Sequence, residues 1–583
     1  MFQRCVGLFI ILYQADIYYL YSCMKKIAIP LVMEYQDVFT NEPNIEIVET
    51  LKQFSRFQLV HYAALLSSHY GNMTIYDLKH TFFSKASTIH INKISTLITS
   101  YQERKQMDDQ HIFFSTYRTC LELWRVIFTI KTVDYLNTIT DENIEYTLFK
   151  VILALNEKVM FIQGLNRSFK IDELSFLSSY LTNDTNNYDF QFTILPQLHY
   201  FCEFKQAIQH DQSLAYLANK LLEKWGITSW QQYYTTLLWI AHLLNQYQTH
   251  RHKGVFSFNP KEIAKTDTTG LFSWQLIDSL SIEIDSDDFV DNNNIDYREF
   301  RSKPFVKLNT TSNYLVINIE FVCERIFNSL YFDLLPLIRE QKSSYNFNKD
   351  FIEKHLFQKT FFNCLKTFTY TYPQRGNIIV KEDDHEPDFY CRFGHKLLLI
   401  ECKAIKMNGD IRDLGDYMRL LEELHEKLVL KTKKINTQTI LNTPIPVGIG
   451  QIIHHIKSIE ADEFKWDKEI PDDVRYYPML VFEDTRLLQP GLLSILNNWL
   501  HEELNRLNLT SISYSPLVAV SINTLFLYDD LIKKRGITNL IDEFWSDRIS
   551  ESKEMLPTAD FDYYLRKHKF NKRKYVTNML IPS

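Results

Sequence analysis

The sequence predicts a multidomain α/β protein in which a mainly helical N-terminal region precedes a domain of alternating helices and strands. The chain has 583 residues, more than a single hydrophobic core usually accommodates. Its hydrophobic fraction of 45% and charged fraction of 23% are ordinary for globular domains. Near residue 348 the apolar pattern changes from helical spacing to short apolar runs between helical segments, which indicates an α/β domain.

The first 23 residues form a conspicuously apolar extension. Gln14 and Asp16 interrupt the apolar run, so the remaining stretch is too short to span a bilayer. Met24 precedes two lysines and resembles a more natural start, which favours a misassigned start for residues 1–23. A core helix and an exported segment are the alternatives.

Localisation is predicted from the cysteines and from the hydropathy of the rest of the chain. The eight cysteines form no CxxC pair, and their spacings fit neither a zinc site nor a compact disulfide framework. No later segment is apolar enough to cross a membrane. We therefore expect a cytoplasmic protein without a membrane partner.

Residues 24–282 are predicted to form a helical domain. Apolar residues recur at steps of three and four in five segments, Phe54–Ser67, Tyr117–Ile130, Glu145–Val159, Ser213–Trp225 and Trp230–Tyr247. No catalytic motif is evident in this region. Its aromatic residues and histidines are therefore interpreted as packing residues.

Residues 283–300 are rich in Asp and Asn and are predicted to form a solvated linker. They lack the glycine and the terminal glutamate spacing of an EF-hand loop. Residues 301–347 are predicted to form a β-hairpin and a connecting helix. The strands are expected over Pro304–Leu308 and Tyr314–Ile319, and the helix over Glu320–Arg339.

Residues 348–546 are predicted to form the α/β domain. The run Leu397–Ile400 is apolar without alternation, as expected for a central strand that is covered on both faces. The expected elements are a helix over Phe351–Thr367, strands over Asn377–Glu382, Pro387–Arg392 and Lys396–Lys403, helices over Asp413–Lys434 and Gly450–Ile459, a strand over Tyr477–Phe482, a helix over Leu492–Leu507, and a strand over Pro516–Ser521 followed by a helix to Phe544.

Three charged residues are predicted to converge at the end of this central strand. Glu401 and Lys403 are two residues apart and therefore share one face of the strand. A tight turn at Gly394 allows Asp388, on the preceding strand, to lie beside Glu401. Two carboxylates at the end of an apolar strand are costly unless a cation and charge pairing offset their burial. Hard oxygen ligands of this kind suit Mg²⁺ or Mn²⁺.

The pair Pro387-Asp388 and the triplet Glu401-Cys402-Lys403, together with this order of elements, resemble the PD-(D/E)XK nuclease superfamily, which has the restriction-endonuclease-like fold. The resemblance covers residues 348–546. It implies metal-dependent hydrolysis of phosphodiester bonds, with DNA favoured over RNA as the nucleic-acid partner.

The resemblance also implies roles for individual residues. Asp388, Glu401 and the backbone carbonyl of Cys402 are expected to bind the metal, and Lys403 is expected to be catalytic together with both carboxylates. Glu353, on the first helix of the domain, matches a further catalytic and metal-binding glutamate of many members. Gln451 matches, more loosely, a glutamine that helps position the nucleic acid. The neighbouring His454 and His455 are interpreted as helix-face residues.

The alternative is a catalytically inactive module that keeps the nuclease fold and binds nucleic acid or a protein partner. Intact Asp388, Glu401 and Lys403 favour the active enzyme. The chain has no Walker A loop, GxSxG elbow or HExxH motif, which disfavours an intrinsic ATPase or a serine hydrolase. By analogy alone, a helical region fused to such a nuclease suits bacterial genome defence or mobile-element biology. A homo-oligomer or a partner protein of a defence system would fit such a role.

Nucleic-acid binding requires a local basic patch, because the chain has a net charge of −7 and a pI of about 6.2. Residues 547–583 are predicted to form a basic C-terminal tail that supplies this patch. The tail is solvated in the alternative interpretation. Six basic residues lie within nine positions, and we expect them to grip phosphates: Arg566, Lys567, Lys569, Lys572, Arg573 and Lys574.

Overall fold

The computed structural model describes residues 31–68, 73–82, 86–105, 112–160, 173, 176–177, 190–249, 254–289, 297–309, 311–365, 370–372, 386–405, 407, 411, 417–431, 434–435, 439–440, 444–550 and 560–568. The predicted extension 1–23 and the predicted strand Asn377–Glu382 lie outside these residues. The chain is mixed α/β, as predicted, and divides into two compact units. The first contains the described residues up to 160, 190–201 and 211–343, and the second contains residues 173, 176–177, 202–210 and those from 344 onward.

The first unit is mainly helical, and the five helices predicted there are present with ends shifted by up to four residues. Side-chain caps fix several helix starts; Ser55 and Gln58, for example, form a reciprocal capping box. The predicted helix Glu320–Arg339 is in fact two helices. The helices span Tyr35–Val38, Ile47–Leu51, Arg56–Ser67, Ile75–Thr81, Thr88–Lys105, Tyr117–Thr129, Asp141–Met160, Gln212–Lys224, Trp230–Thr249, Pro260–Thr266, Trp274–Ser279, Arg298–Ser302, Ile319–Glu324 and Leu330–Glu340. Helix Phe190–His210 contributes residues to both units.

Two small sheets in the first unit have strands of only two to four residues, too short to give a clear alternating pattern. The predicted hairpin forms the centre of the second sheet, where Phe305–Lys307 pairs antiparallel with Tyr314–Val316. In sheet order, the strands are Leu31–Val32, Ile112–Ser115 and Met73–Thr74 in the first sheet, and Ser257–Phe258, Tyr314–Val316, Phe305–Lys307 and Ser281–Glu283 in the second.

The prediction that residues 283–300 form a solvated linker is wrong for their described part. Glu283 ends a strand of the four-stranded sheet, and Ile284 and Phe300 are buried in the hydrophobic core of the first unit. The buried Arg56 guanidinium donates to the carbonyl of Ile284 at 3.1 Å and pairs with Asp287 at 3.4 Å. The acidic composition of the segment therefore serves a buried arginine as well as solvent, and the segment lies within residues 211–343 of the first unit.

A six-stranded mixed sheet lies at the centre of the second unit. Its strands, numbered along the chain, are β1 (Tyr370–Tyr372), β2 (Phe389–Phe393), β3 (Lys396–Lys403), β4 (Arg475–Phe482), β5 (Ser513–Tyr514) and β6 (Val518–Ser521). The spatial order is β5-β4-β3-β2-β1. Strand β6 also pairs with β4, along residues of β4 that follow those paired with β5. The β1–β2 and β2–β3 pairs are antiparallel, whereas β4 is parallel to β3, β5 and β6.

Helices cover both faces of this sheet, and β3 has the bounds that the sequence predicts. Glu401 faces helix Ile449–Glu460, and the other face carries Phe389, on which Phe361 packs with ring centroids 4.9 Å apart.

The predicted helix Asp413–Lys434 ends at Leu428, because the chain enters a short hairpin there. The helices span Phe347–Phe357 (a π-helix), Gln358–Cys364, Tyr417–Leu428, Ile449–Glu460, Leu492–Arg506, Ile522–Leu527, Asp529–Arg535, Ile537–Ser550 and Phe561–Arg566, and the short strand pairs are Leu430–Lys431 with Ile445–Pro446 and Lys434–Ile435 with Thr439–Ile440.

The predicted boundary between the domain and a tail at residue 547 is wrong for the described residues. Helix Ile537–Ser550 continues past it, and the buried Phe561 packs on Phe544 with ring centroids 5.5 Å apart. The second unit therefore includes the helix that begins at Phe561. Among the described residues, no helix combines the length and the hydropathy needed to span a membrane.

Candidate active site

The β2–β3 hairpin places Asp388 opposite Glu401. Gly394 has a φ of 56° at the first position of the two-residue turn, a conformation that glycine adopts at little cost. The last paired residues of the ladder are Phe389 and Ile400. Continuing this register by one residue sets Asp388 beside Glu401, and both side chains project to the same face of the sheet.

Hydrogen bonds join these two carboxylates to the backbone of the opposite strand. The Cys402 N–H donates to Asp388 Oδ2 at 2.8 Å, and the Asp388 N–H donates to Glu401 Oε1 at 3.5 Å. The N–H and C=O of a strand residue point to the same edge, so the Cys402 carbonyl is directed to the side of Asp388. The two carboxylates and this carbonyl therefore lie on neighbouring strands at one point of the sheet.

Lys403 joins the Glu401 carboxylate to helix Ile449–Glu460. Its Nζ lies 3.2 Å from Glu401 Oε2 and donates to Gln451 Oε1 at 2.8 Å. Gln451 Oε1 also accepts the Gly448 N–H at 2.9 Å, which fixes the amide with its oxygen towards the ammonium. The structure thus brings the predicted residues Asp388, Glu401, Lys403 and Gln451 together.

Two glycines allow the helix that carries Gln451 to begin at this point. Gly448 has a φ of 54°, and a Cβ there would lie 2.7 Å from the Leu428 carbonyl oxygen. A Cβ on Gly450 would lie 2.3 Å from the Val429 carbonyl oxygen. The Gly448-Ile449-Gly450 sequence therefore permits a close backbone approach.

His455 belongs to the same cluster, although the sequence interpretation gave it only a helix-face role. Its Nε2 lies 3.4 Å from Glu401 Oε1, and the side chain is 2% exposed. His455 follows Gln451 by four residues, so both project from one face of the helix. That spacing is the signal that would have identified it.

Burial raises the pKa of the Glu401 carboxyl, and the neighbouring Asp388 raises it further. Lys403 and the hydrogen bond from His455 act in the opposite direction. Glu401 is fully buried, so its negative charge is stabilised only as far as nearby positive charge and hydrogen-bond donors allow. A proton or a cation would relieve this imbalance.

Glu353 does not complete a three-ligand metal site. Among the described residues, no group of three or more His, Cys, Asp or Glu side chains is arranged to hold a metal ion. Glu353 is half-buried on helix Phe347–Phe357, and this helix continues into one that packs on Phe389. Phe389 lies on the face of the sheet opposite to that of Glu401.

The predicted phosphate-gripping residues are described only in part. Arg566 donates to the buried Asp562 at 3.0 Å and so belongs to the folded unit, contrary to the prediction of a basic tail residue. Lys567 is exposed, with its ammonium 5.5 Å from the centroid of the Tyr563 ring. Lys569, Lys572, Arg573 and Lys574 lie outside the described residues.

Comparisons of the sequence with protein-family models and with curated proteins give no significant match.

Proposed function

We propose that this chain is a metal-dependent nuclease of the PD-(D/E)XK type that hydrolyses phosphodiester bonds, with DNA favoured as substrate. The observation that carries the proposal is the convergence of Asp388, Glu401 and Lys403 at the end of β3. Lys403 Nζ bonds there to Gln451 at 2.8 Å, which adds the glutamine that some members of the superfamily carry.

The topology of the sheet supports the same assignment. Helix Gln358–Cys364 precedes an antiparallel group, β1 to β3, and a connection that includes helix Ile449–Glu460 leads to β4, parallel to β3. The resemblance rests on the same order, a helix, three strands and a helix, but with Asn377–Glu382 rather than β1 as the first strand and Asp413–Lys434 as the second helix. Because one fold can host different activities, the proposal depends on the side chains of the site.

The donor set fits a hard divalent cation. Asp388, Glu401 and the Cys402 carbonyl would hold Mg²⁺ or Mn²⁺, since such ions prefer oxygen ligands and retain several waters. The raised pKa of Glu401 indicates a carboxylate that lacks full charge compensation. A bound cation would supply Lewis acidity and a bound water of lowered pKa.

Lys403 and Gln451 would orient the reacting groups. The ammonium is held between Glu401 and Gln451, and its side chain remains 13% exposed, so it can reach solvent. From this position Lys403 Nζ can donate to the attacking water or to a phosphate oxygen. The two oxygen acceptors fix the ammonium, which reduces the reorganisation that the reaction requires.

Cleavage assays on the full chain test this proposal. Circular and linear DNA and RNA should be incubated with Mg²⁺ or Mn²⁺, with EDTA, and with Ca²⁺. We expect cleavage with Mg²⁺ or Mn²⁺, loss of cleavage with EDTA and with the Asp388→Asn variant, and binding without turnover with Ca²⁺. Nucleic-acid binding without cleavage under every condition would instead identify the inactive module. A role in genome defence remains an analogy.

A further inference from the structure

We propose that His455 is a positioning residue that holds the Glu401 carboxylate and thereby sets the affinity of the site for a divalent cation. The inference rests on the proposed function and extends it to a residue beyond the PD-(D/E)XK pattern. It starts from the contact of 3.4 Å between His455 Nε2 and Glu401 Oε1.

The surroundings of His455 favour one tautomer. Its side chain is 2% exposed, and its Nδ1 is buried without a hydrogen-bond partner among the described residues. A buried N–H without an acceptor is costly, so the neutral ring carries its proton on Nε2 and directs it to Glu401. At 3.4 Å this hydrogen bond is long, as such bonds often are before an active site is complete.

Two aromatic residues fix the ring of His455. Phe464 and Trp466 both pack edge-on, with their ring centroids 6.3 Å and 6.2 Å from that of His455. Their own centroids are 5.1 Å apart, so they form a joint support behind the imidazole. The orientation of the ring is thus set by packing as well as by Glu401.

Strand β2 anchors this support. Asp467, one residue after Trp466, accepts the Tyr390 hydroxyl at 2.8 Å and Arg392 Nε at 2.6 Å. Tyr390 and Arg392 follow Asp388 by two and four positions, so they share its face of the sheet. Strand β2, which presents Asp388, therefore also anchors Phe464 and Trp466. These two residues support His455, the partner of Glu401.

His455 and Lys403 together determine the plane of the Glu401 carboxylate. His455 approaches Oε1, and Lys403 approaches Oε2 at 3.2 Å. Outer partners of this kind orient metal-binding side chains, and their loss typically weakens metal affinity about 10- to 100-fold. We expect an effect of that size when His455 loses its ring nitrogens.

The test is calorimetric titration of the full chain with Mn²⁺ alone, without nucleic acid. His455→Phe keeps the aromatic shape and should weaken Mn²⁺ binding about 10- to 100-fold. His454→Phe is the matched control, because it makes the same change at the adjacent position, and it should bind like the wild type. His455→Gln retains an N–H donor and should keep most of the wild-type affinity. This variant tests the proposal even if His455→Phe folds poorly.

Each outcome separates this inference from the proposed function. Wild-type affinity in a folded His455→Phe protein would overturn the positioning role while leaving the nuclease proposal intact. Equal losses in His454→Phe and His455→Phe would indicate a general disturbance of the helix and would also overturn it. If the wild type binds no Mn²⁺ and cleaves nothing, the proposed function fails, and this inference fails with it.

Discussion

Two buried carboxylates of the second unit, Asp562 and Glu401, are stabilised very differently. Asp562 is 2% exposed and accepts the Ser521 N–H at 2.8 Å and the Thr524 hydroxyl at 2.7 Å. Arg566 pairs with it at 3.0 Å. Short hydrogen bonds and a cation thus compensate the burial of this charge, and they tie helix Phe561–Arg566 to the end of β6.

Glu401 is 0% exposed, yet its contacts are longer. Lys403 lies at 3.2 Å, His455 at 3.4 Å and the Asp388 N–H at 3.5 Å. Asp388 also adds a second negative charge nearby and helps to raise the pKa of Glu401. The difference indicates that Asp562 stabilises the fold. The burial of Glu401 instead costs stability in the metal-free protein, and a bound cation would offset that cost.

The largest expected effect is on catalysis. Lys403→Ala should lower the rate of cleavage about 10²- to 10³-fold, because it removes a fixed donor from the reacting groups. Cation affinity should change little, because losing the contact that orients Glu401 is offset by losing a positive charge that repels the cation. Lys396→Ala is the matched control. It lies on the same strand but pairs with Asp542 on the opposite face, so its cleavage rate in the Mg²⁺ assay should equal that of the wild type.

The next effect is on stability and concerns Asp562. Asp562→Ala should lower the free energy of unfolding by about 3 kcal/mol, because Arg566, Ser521 and Thr524 all lose their acceptor. Urea denaturation of the metal-free protein measures this change. Glu503→Ala removes a pair with Arg506 whose arginine is exposed to solvent, and should cost less than about 1 kcal/mol. Similar losses in the two variants would show that Asp562 does not anchor the helix.

A smaller, pH-dependent effect of opposite sign is expected for Glu401→Gln. The folded-state pKa of Glu401 lies above its usual value of 4.5, so the protonated carboxyl is the form that the folded protein favours. Its contribution to stability is full below that usual value and is lost as the pH rises through the folded-state pKa. Glutamine does not titrate. In EDTA, the Tm of Glu401→Gln relative to wild type should therefore rise from acidic to neutral pH, and a constant difference would contradict this.

Local pattern explains what the sequence could predict. The bounds of β3 and the placement of Asp388, Glu401 and Lys403 follow from a two-residue turn and from the alternation of side chains along a strand. The five predicted helices of the first unit follow from equally local periodicity. These features depend on residues within a few positions of one another.

Contacts between distant segments explain which features the sequence could not predict. His455 meets Glu401 across 54 positions, and Arg56 reaches the carbonyl of Ile284 across 228. The Asp- and Asn-rich composition of residues 283–300 concealed the few apolar side chains that hold its described part in the core. Arg566 resembled the basic residues that follow it, because the burial of its partner Asp562 depends on contacts with Ser521 and Thr524, 41 and 38 positions earlier in the chain.

The smallest expected effect concerns the basic residues beyond that helix. Ending the chain after His568 removes Lys569, Lys572, Arg573 and Lys574 but keeps the pair between Arg566 and Asp562, so stability should be unchanged. If all four contact phosphates, the slope of log K against log salt for duplex DNA should decrease in magnitude by roughly 3 to 4. Titrations of the Asp388→Asn protein, with and without these residues, at several salt concentrations measure this slope without cleavage. An unchanged slope would mean that these residues are solvated. Arg566 would then resemble Asp562 in serving the fold, and the basic patch required for DNA would have to lie elsewhere.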